Sequence, residues 1–179
     1  MKKIPMHFVC TLDQAKEIIA DFNDFWVMNC GCREEKGNCK RSRMDVCLNF
    51  IDYSGSYGSN LKKMTRFEVE DILKETKEKH LVPRPFRDET RKKIDGICFC
   101  CDDCCGYFLN PEEICDKGSL IETTNLENCT VCRICEDYCY FKARKIINDK
   151  LKIDQDNCYG CGLCVNICPE DCIKMIGRY

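Results

Sequence analysis

Cys129-Thr-Val-Cys132-Arg-Ile-Cys135-Glu-Asp-Tyr-Cys139 is followed by Cys158-Tyr-Gly-Cys161-Gly-Leu-Cys164-Val-Asn-Ile-Cys168-Pro169. Both halves read C-x2-C-x2-C-x3-C, and the second carries the Pro that often follows the fourth Cys. Three cysteines spaced by two residues can wrap one face of an iron–sulfur cube. The fourth starts a helical turn, points away, and reaches the other cube. The spacing therefore predicts one cluster on Cys129, Cys132, Cys135 and Cys168. A second takes Cys158, Cys161, Cys164 and Cys139. Paired zinc knuckles need neither the third Cys of each triplet nor the crossed fourth one.

Over residues 120–179 this pattern resembles the bacterial-type ferredoxins with two [4Fe–4S] clusters. The resemblance implies a ferredoxin-like α+β module that passes single electrons to a redox partner protein. Tyr140 departs from it, because the first half usually has Pro there. The ligand Cys139 is unaffected, but the path beyond it loses the φ restraint that Pro supplies.

Working outward, composition restricts the remaining possibilities. Twenty cysteines in 179 residues suggest either a disulfide scaffold or metal sites. Met1–Val9 offers no apolar run of signal-peptide length, and no stretch approaches the ~18 apolar residues of a membrane span. The expectation is a cytoplasmic chain without membrane insertion, its thiols kept reduced and free for metal. Net charge is −2 with neutral thiols and becomes more negative once thiolates hold clusters. That charge disfavours non-specific nucleic-acid binding.

Two further groups of cysteines lie upstream. Cys30, Cys32, Cys39 and Cys47 occupy a loop broken by Gly31 and Gly37 and rich in cations (Arg33, Lys36, Lys40, Arg41). Nearby positive charge favours thiolates. Cys98, Cys100, Cys101, Cys104 and Cys105 follow, and neighbouring side chains there must diverge. Some therefore reach elsewhere, with the 30–47 loop as the counterpart. Together these nine are candidate ligands for one or two additional iron–sulfur clusters, with zinc as the alternative. Cys10 and Cys115 stand apart as packing residues. Cys172 reads as a small buried side chain near the second cluster, or a surplus ligand.

Residues 30–106 also resemble the N-terminal half of a family of anaerobe ferredoxin-domain proteins. The match rests on Cys30-x-Cys32-Arg33, Cys39, Asp45-x-Cys47-Leu48, Ile97-Cys98-x-Cys100-Cys101 and Cys104-Cys105-Gly106. Asp103 stands where that family often has another Cys. This resemblance implies iron–sulfur binding and little about activity.

The rest of the chain supplies the frame. Thr11-Leu-Asp-Gln14 and Thr65-Arg-Phe-Glu68 are capping boxes, each heading an amphipathic helix, over 11–23 and 65–79. Phe25–Met28 reads as a strand. Leu81-Val82, a basic turn beyond Pro83 and Pro85, and Ile94–Cys98 give helix–strand–turn–strand, a series that resembles the end of a winged helix. Asn110-Pro111 reads as a short helix start, and Ser54–Ser59 as a surface loop rather than a phosphate cradle. Lys145–Ile153 reads as a hairpin turning at Asn148-Asp149. Ile134, Ile146, Leu151, Ile153, Leu163 and Ile167 are expected to cover the cubes. The predicted organisation is a Cys-rich α+β domain at 1–118 and the ferredoxin module at 119–179.

His7 and His80 lie outside every Cys group in sequence, and no catalytic triad or nucleotide fingerprint appears. An electron carrier is the first reading. A redox enzyme or accessory subunit acting at an N-terminal cluster, and a redox-sensing DNA-binding regulator, are the alternatives.

Overall fold

The computed structural model describes residues 4–52, 58–110 and 112–178. Most of the Ser54–Ser59 loop, and Pro111, lie outside them. Mixed α and β structure is arranged around one five-stranded antiparallel sheet and two two-stranded ribbons.

The large sheet is built from β1 (Phe25–Met28), β2 (Cys47–Asn49), β3 (Lys62–Met64), β4 (Val82–Arg87) and β5 (Ile94–Cys100), in the order β3-β1-β2-β5-β4. Its two faces follow from the alternation of side chains along a strand. Leu48 pairs with Ile97 and Val27 with Leu48. These residues share one face with Phe25 and Phe99, and that face is the core. Helices α1 (Leu12–Ala20) and α3 (Arg66–Glu78) cover it with Ala15, Ile19, Val69 and Ile72. The helix–strand–turn–strand series is present as α3, β4 and β5. Here β5 lies inside the sheet, paired with β2 as well as β4, so the two strands are no free-standing wing.

Both capping boxes form. In α1 the Thr11 Oγ1 accepts from Gln14 N at 3.2 Å, and Gln14 Oε1 accepts from Thr11 N at 3.1 Å. Thr11→Ala is expected to lower stability by about 1 kcal/mol. That should appear as a lower urea midpoint at unchanged slope.

Strand β4 continues from Val82 through Pro83 and Pro85 to Arg87, and the turn expected beyond the two prolines follows it. It is an edge strand, where the missing Pro N–H groups are tolerated. The outward carbonyls of Pro85 and Pro83 accept from Phe8 N and Cys10 N at 3.1 and 3.2 Å. The N-terminal segment thereby covers the edge.

Helix α2 (Gly31–Lys36) ends on Gly37 at φ 85°, and α4 (Gly106–Leu109) follows the last upstream Cys pair. No helix forms over residues 112–115. Asn110 ends α4, and its Oδ1 accepts from Glu112 N at 3.0 Å in a local turn. This is the known competition between side-chain turns and helix capping for Asn.

Downstream, β6 (Leu120–Thr124) pairs with β9 (Ile173–Gly177), and β7 (Arg144–Ile147) with β8 (Lys150–Ile153). The β7–β8 hairpin turns at Asn148 and Asp149, both left-handed (φ 51° and 55°), as a two-residue turn of matching twist requires. Short helices α5 (Ile134–Asp137) and α6 (Leu163–Ile167) carry the third Cys of each triplet, Cys135 and Cys164. A second core joins the regions on either side of residue 118: Val9, Val82, Tyr140 and Leu163, with Phe108 and Phe141 against them. Tyr140, in place of the usual Pro, is buried there. Its ring meets Phe108 edge-on at 5.8 Å and carries the Arg41 guanidinium at 5.0 Å.

Candidate metal centres

Two cavities lie in the C-terminal region. Cys129, Cys132, Cys135 and Cys168 line the first, and Cys139, Cys158, Cys161 and Cys164 the second. The crossing of the fourth cysteines is thus a feature of how the chain is folded. Ile134, Ile146 and Leu151 also line the first cavity and Leu163 the second; Ile153 and Ile167 line neither.

The two Cys loops bend alike. Val131 and Arg133 are left-handed (φ 53° and 71°), as are their counterparts Gly160 and Gly162 (φ 79° and 75°). Glycine adopts this backbone freely, whereas a β-branched residue there is strained. Such turns bring successive N–H groups into concavities that suit anions, and strain of this kind collects at functional sites. The residues present therefore fit an anionic iron–sulfur cube.

Between the cavities lies a charge pair that no local sequence signal announces. Arg144 lines both of them, and its Nη1 donates to Glu122 Oε2 at 2.6 Å, with the side chains 1 % and 2 % exposed. Cys172 lines the first cavity, its Sγ 3.5 Å from that of Cys168, and not the second, where the sequence suggested it. Crossing explains the change, because Cys168 carries its downstream neighbour with it.

Upstream, the nine candidate thiols separate into two groups. On β5, Cys98 and Cys100 alternate with the core residues Ile97 and Phe99, so both project from the opposite face. Cys47 shares that face one residue before Leu48, and Arg84 shares it opposite Cys98. Cys47 and Cys98 lie 3.9 Å apart at Sγ. Thiol contacts continue from Cys98 to Cys100, Cys105, Cys32, Cys30 and back to Cys47. The result is a closed ring of six sulfurs. Arg84, buried, donates from Nη1 to Cys105 Sγ at 3.0 Å and reaches Cys100 at 3.7 Å. It lies 4.3 Å over Tyr107.

Cys39, Cys101 and Cys104 form the other group, separate from the ring. The doublets Cys100-Cys101 and Cys104-Cys105 thus divide, outer members to the ring and inner members to the trio. Asp103 is occupied by Lys36 Nζ at 2.8 Å and by Lys40 N at 3.0 Å, which pins the two loops together.

His7 belongs at the thiol ring, although in sequence it lies outside the Cys groups. Its Nε2 lies 3.9 Å from Cys98 Sγ. Burial, then the cation Arg84, pushes its pKa down to about 4, so the imidazole stays neutral at physiological pH. The bridge between His7 and Phe86 brings it there, and Asp116 N donates to the His7 carbonyl at 2.9 Å. His80 instead meets Tyr138 edge-on at 4.4 Å. Cys10 and Cys115 pack in the two cores, as expected.

Residues 151–174 match the model of the 4Fe-4S binding domain family. The chain is 35 % identical over 60 residues to a subunit of the ion-translocating oxidoreductase complex of Methanosarcina acetivorans, covering 34 % of this chain and 23 % of that protein. It is 34 % identical over 58 residues to the IorA subunit of the indolepyruvate oxidoreductase of Archaeoglobus fulgidus, covering 32 % of this chain and 9 % of that one. The chain thus spans less than a quarter of either relative. No helix among the described residues is long and apolar enough to cross a membrane. The protein carries a 4Fe-4S binding domain in its C-terminal region and is related there, over about a third of its length, to subunits of oxidoreductases.

Proposed function

We propose that this protein is an electron carrier with two [4Fe–4S] clusters in a C-terminal module, residues 119–179, and a further iron–sulfur cluster in an N-terminal domain, residues 1–118. The observation that carries the reading is the pair of cavities, each lined by three cysteines of one motif and the fourth of the other. Cys129, Cys132, Cys135 and Cys168 hold one cluster. Cys158, Cys161, Cys164 and Cys139 hold the second, and the six-thiol ring holds the additional one. A cube with four thiolate ligands has no open coordination position, and the chemistry it supplies is one-electron transfer.

The chain's own residues set the conditions for that chemistry. Ile134, Ile146, Leu151 and Leu163 keep water from the sulfurs, and Ala143 N donates to Cys139 Sγ at 3.2 Å. Arg144 and Arg84 place buried positive charge beside the thiolates. A reducing cytoplasm suits such thiolate chemistry. The related subunits are named as parts of oxidoreductases, and a redox partner of that class is the natural exchange partner.

Six thiols are two more than one cube requires, and neutral His7 stands beside them. That observation favours one second reading, an oxidoreductase accessory subunit reacting at the ring. Anaerobic reductive titration separates the two. A carrier bleaches reversibly on reduction, is reoxidised by a one-electron acceptor, and is spectrally indifferent to added disulfide. Turnover of disulfide by the reduced protein favours the accessory subunit, and absence of reversible bleaching removes both.

A further inference from the structure

We infer that Cys39, Cys101 and Cys104 form a mononuclear site for one thiophilic divalent ion, zinc or iron(II), separate from every iron–sulfur cluster. Their Sγ atoms lie 3.5 Å (Cys39–Cys101), 3.5 Å (Cys101–Cys104) and 3.7 Å (Cys104–Cys39) apart. Among the described residues this is the one trio of possible ligand atoms mutually within 4.8 Å. Thiolates bound to one tetrahedral ion at about 2.3 Å stand about 3.8 Å from one another. A cube spreads its terminal sulfurs wider, because each is carried by a different iron. The compact triangle therefore matches one ion.

Charge supports this independently. Arg33 is 0 % exposed. Its Nη1 and Nη2 donate to the carbonyls of Arg43 and Phe99 at 2.8 and 3.1 Å, and its Nε has no partner. Among the described residues no carboxylate pairs with it. The nearby sulfurs of Cys30, Cys39, Cys101 and Cys104 are the groups that act on it electrostatically. A guanidinium buried with only neutral partners is costly. Three thiolates on a dication carry one net negative charge, which Arg33 offsets.

The ligands are also held in place before any ion arrives. Cys101-Asp102-Asp103-Cys104 is a C-x2-C turn of the kind that grips zinc. Asp102 is bound by Arg41 at 2.5 and 3.1 Å. Asp103 accepts from the N–H of Lys40, which follows Cys39. The chain places three ligands there, and the fourth position belongs to a ligand from outside it.

The test uses the full-length protein purified anaerobically and supplied with zinc. Iron, zinc and acid-labile sulfide are measured on wild type, Cys39→Ser and Cys101→Ser. Wild type should hold one ion per chain beyond the iron matched by sulfide. Both variants should lose that one ion and keep their sulfide. X-ray absorption at the edge of the bound metal should show three sulfur neighbours. Loss of about four irons and four sulfides from either variant would overturn the proposal in favour of a cube. Absence of an excess ion in wild type, or its retention in both variants, would overturn it too. Because Cys101 is fully buried, the half-buried Cys39 guards against a folding artefact. Labile sulfide reads the iron–sulfur clusters separately, so failure here leaves the carrier reading intact.

Discussion

Cys139→Ala is expected to remove one cluster, about four irons and four sulfides per chain, from the cavity that Cys158, Cys161 and Cys164 line. The chain places Cys139 in that cavity and not with its own triplet. Ala143 N donates to its sulfur at 3.2 Å, so the side chain is already aimed. Double variants reveal which cluster is lost. Cys139→Ala with Cys161→Ala should lose no more iron than either alone, because both act on one cluster. Cys139→Ala with Cys132→Ala should lose both C-terminal clusters. The reverse pattern would mean that each motif holds its own cube. The mirror experiment removes Cys168 together with Cys172, whose sulfur is near enough to replace it.

The second large effect is on stability. Glu122→Ala leaves the Arg144 guanidinium buried without its carboxylate. Breaking such a pair from one side costs about 3–5 kcal/mol. The pair sits between the cavities, so the loss should also accelerate release of both C-terminal clusters. Anaerobic denaturant unfolding and the rate of bleaching under chelator check the two effects. Glu122→Ala combined with Arg144→Met should regain much of the stability, since replacing both members of a buried pair by apolar groups is often neutral. A single variant as stable as wild type would show that the pair is not structural.

The two C-terminal cavities were legible because the cysteines that line them are local triplets in a fixed rhythm. The hairpin at Asn148-Asp149 and the capping boxes were legible for the same reason: a few neighbouring residues determine them. Upstream, the nine thiols could be named but not partitioned. Partition depends on which sheet face a residue occupies, and hence on the register of β2, β4 and β5. One sign of it was present in the alternation Ile97-Cys98-Phe99-Cys100. Arg84, His7 and Glu122 carried no local signal, since each meets its sulfurs or its partner across a long sequence separation; Arg33 was visible in Cys30-x-Cys32-Arg33, but not its place beside Cys101 and Cys104. Tyr140 could be recognised as a departure from Pro, but its reason lies in Phe108 and Arg41. The helix expected after Asn110 failed because the Asn side chain turned its own backbone instead.

The most direct test of the central claim is iron and acid-labile sulfide analysis of the anaerobically purified wild-type chain. Two C-terminal cubes and a further cluster predict equal iron and sulfide in cluster form, at more than eight of each per chain. Zinc without labile sulfide would contradict the account outright.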